Sequence, residues 1–555
     1  MKSKLKMVVW IIAVGLLWAT MAQAQTALPN ANAGFAVTGF IQAATRANVG
    51  TGTIPARLRG GTLTVNGITM IVPNNSIVQT PAGTFSWADL FTPAVSAPVG
   101  NYIPNRINHA AGRTGLALID ALTTHFPSYE VNVVGNIVTD PATGTQTYIV
   151  GLIAPAAQQG LNVAAGYINF IDYDGTVLGG GAGGIQGRFR VGGTMGDSTT
   201  GTLCELNDPV GRFGAAHSPD PRFTVDSENP TISTATGYPV GIPTVAPPGI
   251  DPDRPDTNRP LNNPASVDPN QPFDPFLAAG APLKRFTMPA SAGAGTTTPD
   301  PYKQVPLKVG DWVDVSGTLM KINQNGTNTP ANMFLSVHTL DAHLGVKTQP
   351  GTQPAYVRVE EFIFGVGDRR GGPTVDGIAQ ETSTRVVLVS FTTDSNPAGT
   401  NLPGGALFGI DVQPDGSRIL RPFPNGTSAS NPDFAIDDPI RGRLRWTTSN
   451  NGSTPGVLAN ATGPGKFYRM YALQLTGPGR GVLQLPPQSN GLPGLITGQY
   501  QLPIFEYIFG EGTNFGEPIP PFNFNDFGFL TTGEGRLDGT TGPAVGPLDP
   551  FPAFN

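Results

Sequence analysis

YEVNVVGNIV (129–138), YIVGLIA (148–154), GYINFIDYDGTVLGG (166–180) and GRFRV (187–191) are four β-type runs separated by turn chemistry, and their reading decides the fold. In the first, Val131, Val133 and Ile137 fall on one face and Glu130, Asn132 and Asn136 on the other, the period-2 pattern of a half-buried strand. Gly135 interrupts the apolar face, so a bend or bulge is expected there. The second run is apolar on both faces, as a strand with neighbours on both sides should be. Asp174-Gly175 tolerates the positive φ angles of a type I′ turn, which predicts that Tyr167–Tyr173 folds back on Thr176–Leu178. The product is a small antiparallel barrel or sandwich.

Working outward, GFAVTGFIQAAT (34–45) and GTLTVNGITMIV (61–72) read as further strands, with a tight hairpin at Asn66-Gly67. SWADLF (86–91) reads as a helical turn that places Trp87, Leu90 and Phe91 on one side. Leu118, Ile119 and Leu122 recur at helical spacing before Pro127, which predicts one helix over about 114–124. These elements form a first β unit over 25–175. A second unit, 176–242, has Phe189 and Val191 facing one way and Arg188 and Arg190 the other. Its NDPVGRFG (207–214) and DSENPTI (226–232) segments are dense in turn formers. Residues 243–301 repeat Asp-Pro and Asn-Pro, which nearly excludes regular structure and makes this segment a linker or an extended strap; Phe273, Phe276, Leu277 and Phe286 favour a strap packed on its neighbours. A third unit, 302–370, opens with LKVGDWVDVSGTLM (307–320). Leu307, Val309, Val313, Val315 and Leu319 share a face there. A fourth covers 371–476 with a hairpin signal at Asp415-Gly416, and 477–555 is a Gly/Pro-rich wrap.

Lys2, Lys4 and Lys6, the apolar run Met7–Met21 and the small-x-small Ala22-Gln23-Ala24 make 1–24 a cleavable export signal. The mature chain is then expected to be secreted, at the cell surface or otherwise outside the cell, or in a periplasm, with no transmembrane span. Cleavage removes three lysines from a chain whose formal charge is already −6. An acidic chain without a basic patch is a poor nucleic-acid binder. With 72 Gly and 55 Pro among 555 residues and only 13% charged side chains, it is an all-β protein of short strands and long loops rather than a charged disordered one.

GTLTVNGITMIV, VGDWVDVSGTL and YEVNVVGNIV resemble the OB-like β-barrel domains of unknown function found in secreted bacterial proteins. Through NDPVGRFG, DPRFTVDSENPTISTATGYPVGIP and KVGDWVDVSGTL, the chain as a whole resembles uncharacterised secreted proteins of bacteria and fungi. The resemblance implies OB-like modules and brings no catalytic residues.

The chemistry-bearing residues are few. Gly179, Gly181 and Gly184 satisfy GxGxxG, but the strand-forming GRFRV follows where a dinucleotide site needs a helix. His338, Asp341 and His343 lie in VHTLDAH, where an offset of five places the histidines on opposite strand faces and argues for structural roles over a zinc site. Asp251, Asp253 and Asp256 in DPDRPD offer oxygen ligands that calcium favours, the one cofactor the sequence suggests. Cys204 is the sole cysteine and reads as a buried small hydrophobe. Trp312 stands on an otherwise polar strand face with Lys308, Asp314 and Ser316. Either the strap buries it, which is the expectation, or it is a ligand platform. The functional expectation is a non-enzymatic structural or binding protein whose partner is an extracellular protein or a polysaccharide. The alternative is a glycan-binding or glycan-active protein.

Overall fold

Period-2 runs with one apolar face build two closed β-barrels in succession. The structure, a computed structural model, describes residues 33–46, 60–91, 114–156, 162–259, 284–288 and 299–348 with short breaks. From Tyr356 onward it describes short segments, nearly all of them strands. Among the described residues no helix is long and apolar enough to cross a membrane.

The first sheet contains β1 (Ala33–Arg46), β2 (Gly61–Val65), β3 (Ile68–Val72), β4 (Ile77–Thr80), β5 (Gly83–Ser86), β6 (Glu130–Thr139) and β7 (Gln146–Ala156). Its order is β3-β2-β1-β6-β7-β4-β5, and a parallel β3–β7 pairing through Ile71 and Ile149 closes the ring. Leu63, Val65, Met70, Val72, Val131, Val133 and Ile153 line the interior. The 3-10 turn Trp87–Phe91 plugs it with buried Trp87, Leu90 and Phe91, two of whose rings meet edge-on at 5.3 Å. At the β2–β3 hairpin Asn66 and Gly67 both take positive φ, 50° and 78°, as a two-residue type I′ turn demands. Gly135 marks the expected bulge: the β6–β7 register shifts beside it, and a Cβ there would lie 2.1 Å from the Ile149 carbonyl oxygen.

The predicted helix over 114–124 is overturned for its described part. Residues 114–119 are irregular, with Leu116 and Ala117 buried and Leu118 and Ile119 exposed. The amides of Leu118 and Ile119 donate to the carbonyls of Ile41 and Gln42, so pairing with β1 outcompeted helix propensity. Residues 120–124 lie outside the described residues.

The second barrel starts with β8 (Val163–Asp172), β9 (Arg188–Val191) and β10 (Thr202–Leu206). Short strands β11 (Ile232–Thr234), β12 (Val240–Gly241), β13 (Arg285–Thr287) and β14 (Val305–Pro306) occupy the long connection to β15 (Trp312–Lys321), β16 (Met333–Ala342) and β17 (Gly345–Lys347). The order is β10-β9-β8-β15-β16-β11, and a parallel β10–β16 pairing closes the ring. Both barrels therefore share one scheme. Three consecutive strands are followed by a fourth beside the first and a fifth parallel to the third.

This arrangement corrects three sequence-based boundaries. β8 belongs to the second barrel, so the first unit does not reach residue 175. Strands of the expected second and third units, 176–242 and 302–370, join β8 in one barrel, with strap residues in the connection between β10 and β15, whereas Val357–Asp368 pairs in a separate sheet. The hairpin at Asp174-Gly175 does not form, because β8 pairs with β9. The buried Asp172 carboxylate accepts the amides of Val177 (3.1 Å) and Leu178 (2.5 Å), and Asp174 closes a local turn onto Thr176.

The insertion touches both cores. Phe223 stacks on Tyr129 in the first barrel with centroids 5.1 Å apart, whereas Val225 belongs to the core of the second. Asn207 fixes the pair by donating to the Phe223 carbonyl (2.9 Å) and accepting the Val225 amide on its own carbonyl (2.8 Å). Phe286 of the strap enters the second core as β13 pairs with β17, as the strap reading requires. Farther along, Val357–Asp368, Thr382–Phe391, Arg443–Thr448 and Phe434–Asp438 form a four-stranded antiparallel sheet. Ala406–Val412 pairs antiparallel with Arg418–Pro422, and with Phe467–Leu473 on its other side, while Asp415 and Gly416 lie outside the described residues. The signal segment and most of 477–555 lie outside the described residues.

Phe223→Ala should cost about 3–5 kcal/mol. Although Phe223 belongs to the insertion of the second barrel, hydrogen exchange should accelerate at the β6 amides beside Tyr129 and leave β15 and β16 protected.

Candidate functional site: an aromatic corner on the second barrel

β15 alternates strictly at its start: Val313 and Val315 enter the core, and Trp312, Asp314 and Ser316 face outward. Antiparallel pairing puts Tyr167 of β8 directly opposite Trp312. Their rings meet at 86° with centroids 5.0 Å apart. His343, just beyond β16, adds a third ring 6.2 Å from Trp312 and tilted by 47°. Its Nε2 lies 2.6 Å from Asp314 Oδ2, which fixes the imidazole at the rim. Asp341 stands opposite Asp314 on the neighbouring strand. Lys284 holds its ammonium 5.3 Å from the Tyr167 centroid. The result is a corner of two perpendicular π-surfaces bordered by a carboxylate, an imidazole and an ammonium group. Tyr167 is 36% exposed, and the side chains of His343 and Asp314 are 45% and 49% exposed, so the corner faces solvent.

The expectation that the strap buries Trp312 falls largely on residues outside the described ones. The ring is half-buried, and the two rings described against it, Tyr167 and His343, come from the barrel itself. Phe286, the described strap aromatic, turns into the core instead, while Phe273 and Phe276 lie outside the described residues. Among the described strap residues, Lys284 reaches the corner, through Tyr167.

The histidine reading also changes. Ser316 pairs with Thr339 and Gly317 with Val337, so His338 is the extra residue of a bulge. The bulge turns the odd sequence offset to His343 into an even one in the sheet. Both histidines lie toward the outer side, His338 Nδ1 being 3.0 Å from Thr339 Oγ1. Among the described residues no group of three or more His, Cys, Asp or Glu side chains converges. Desolvation lowers the His338 pKa from 6.5 to about 4, so the ring is neutral in the folded protein at neutral pH.

The calcium candidates are engaged separately. Asp251 Oδ1 accepts the amides of Asp253 (3.0 Å) and Arg254 (3.2 Å), and Oδ2 accepts Thr244 N (3.0 Å), Thr244 Oγ1 (3.1 Å) and Arg254 Nε (3.0 Å). Its lone pairs are thereby committed to protein donors. Burial raises the Asp251 pKa, but the Arg254 guanidinium and these hydrogen bonds outweigh it and leave the carboxyl below the usual range. Asp253 accepts Ser489 N and Oγ, and Asp256 pairs with the Lys308 ammonium. The Asp-Pro pattern thus supplies arginine, lysine and backbone acceptors rather than a cation cage.

Sequence reasoning missed the charged interior of the second barrel. Arg188 Nε lies 2.7 Å from Glu205 Oε2, His217 Nδ1 meets the other oxygen of Glu205, and all three residues are buried. Arg259 forks onto Asp311 with bonds of 2.5 and 2.6 Å, also fully buried. Asp208 accepts the amides of Phe213 (2.6 Å) and Gly214 (3.1 Å), and burial pushes its pKa up. Alternation alone had placed Arg188 away from the apolar face, but gave no hint that a second layer would cover it. Cys204 is buried in the core as expected, and desolvation raises its thiol pKa. Of the GxGxxG glycines, Gly181 and Gly184 lie outside the described residues.

No family model, curated protein or solved structure matches the chain.

His338 is neutral in the folded barrel down to about pH 4 but charged in the unfolded chain below 6.5. The unfolded state therefore binds the extra proton in that window, so stability rises with pH from about 4 to 6.5 and is lost as the solution is acidified. The component amounts to about 3 kcal/mol at most. Urea unfolding of His338→Gln at pH 4.5 and 7 should show a correspondingly smaller acid loss than wild type.

Proposed function

We propose that this is an exported, non-enzymatic binding protein of the cell surface or extracellular space. In this reading its barrels are OB-like modules, and its ligand is a carbohydrate seated in the Tyr167–Trp312–His343 corner. The observation that carries the reading is that corner: a tryptophan on the outer face of a barrel, set perpendicular to a tyrosine and bordered by Asp314 and His343. Sugar rings present apolar C–H faces and polar hydroxyl edges. An indole or phenol surface takes the former, and a carboxylate–imidazole pair takes the latter. The OB-like assignment is supported by the shared strand scheme of the two barrels, a five-stranded ring closed by one parallel pair. Export is supported by the basic, apolar and small-residue segments of 1–24. A non-enzymatic role is favoured because the buried Glu205, Asp251 and Asp311 are committed to arginine partners, as structural ion pairs are.

Retention of the purified mature protein on insoluble polysaccharides such as cellulose, chitin and peptidoglycan tests the reading. Trp312→Ala should reduce retention about tenfold or more. Because the ring is half-buried, its stability cost should fall below the ~3–5 kcal/mol of a core aromatic. Unchanged retention in both Trp312→Ala and Tyr167→Ala would overturn the carbohydrate assignment.

A further inference from the structure

The second barrel carries a separate cavity at the end where β8 begins, β9 finishes and the β15–β16 connection turns. It is open to solvent and encloses about 1020 Å³. That matches the upper end of the ~300–1,000 Å³ typical of small-molecule sites. Val163, Val177, Leu178, Leu203, Ile322 and Phe334 form an apolar part of its wall, and none of the three aromatic-corner rings lines it. Three of these apolar side chains remain substantially in water: Val163 at 58%, Val177 at 55% and Ile322 at 36% exposure. Three branched aliphatic chains converging on one concavity leave apolar surface that an occupant would remove from water.

The charge of the lining narrows the occupant. Among the described residues Arg190 is the one charged side chain lining the cavity, with the Asp197 carboxylate near enough to act on its charge. The guanidinium donates through Nε to the Ser198 carbonyl and through Nη1 to the Gly201 carbonyl at 2.8 Å, which braces the loop between β9 and β10. Among the described residues its third nitrogen, Nη2, has no hydrogen-bond partner. An aliphatic patch beside a cation matches an alkyl chain bearing one anionic head, while Ser198, Thr199 and Thr202 edge the rest of the cavity.

We infer that this cavity binds a single-chain amphiphile, its alkyl chain against the Val163–Val177–Ile322 wall and its carboxylate at Arg190. The site is independent of the carbohydrate reading and uses a different surface of the same barrel.

Fluorescence titration of the full mature chain with dansyl-undecanoate tests the inference. The probe should brighten and shift to the blue on binding, and dodecanoate should displace it about tenfold more effectively than dodecanol. Val177→Glu and Ile322→Glu place a like charge at exposed positions, where the fold tolerates it, and each should weaken probe binding about tenfold or more. Trp312→Ala should bind the probe as wild type does. Absence of probe binding, equal displacement by the alcohol, or glutamate variants that fold by circular dichroism and bind normally would each overturn the assignment. Binding to phosphatidylglycerol vesicles without displacement by monomeric dodecanoate would also overturn it, assigning the surface to a membrane.

Discussion

The second barrel depends on the buried fork between Arg259 and Asp311. Its strands come from two stretches of chain separated by residues 207–311, so the ring closes only if that connection is held against it. Arg259 lies at the end of the Asp-Pro-rich segment, and Asp311 immediately precedes β15, the strand that reopens the barrel after the insertion. Asp311 also accepts the Lys308 amide at 2.8 Å, which shapes the turn into β15. A carboxylate so placed is costly to bury alone, and the bidentate guanidinium satisfies both oxygens. Arg254 makes a second anchor, bridging Asp251 to the Arg212 carbonyl. The insertion is thus tied down by arginines placed between prolines, where regular hydrogen bonding is impossible.

Closure by a parallel pair recurs in the first barrel, and the physical reason is the same in both. A curled sheet of five strands leaves two open edges unless its third and fifth strands meet, and meeting removes them. In the first barrel a short 3-10 turn fills the end with Trp87, Leu90 and Phe91. In the second, the connection between the third and fourth ring strands is the insertion 207–311. That insertion sends Phe223 back into the first core, so the two barrels share a packed residue.

The two proposed sites follow from this architecture. The aromatic corner exists because antiparallel pairing of β8 with β15 aligns Tyr167 and Trp312 on the outer face. The cavity lies where strand ends and their connections meet at another part of the same ring. Its wall consists of residues from β8, β9, β10, β15 and β16 with their connections, drawn from positions 163 to 335. Neither site draws on the buried ion pairs, whose work is to hold the insertion and the covering layer in place.

Much was legible in the residues alone. β-type runs bounded by turn residues marked β1, β2, β3, β6, β7, β8, β9 and β15, and in β6, β9 and β15 the period-2 alternation of a half-buried strand exposed its burial directly in sequence. Asn66-Gly67 and Gly135 announced their turn and bulge through backbone needs that few other residues meet. Strand partnership was not legible, since Val131–Ile137 and Tyr167–Asp172 look alike yet belong to different rings. The helical spacing of Leu118 and Ile119 misled because a neighbouring strand offered their amides better acceptors. Only the tertiary structure set Trp312 beside Tyr167 and His343, moved His338 onto a bulge and paired Arg259 with Asp311. Those relations join residues far apart in the chain, and local pattern holds no record of which strand will lie across from which.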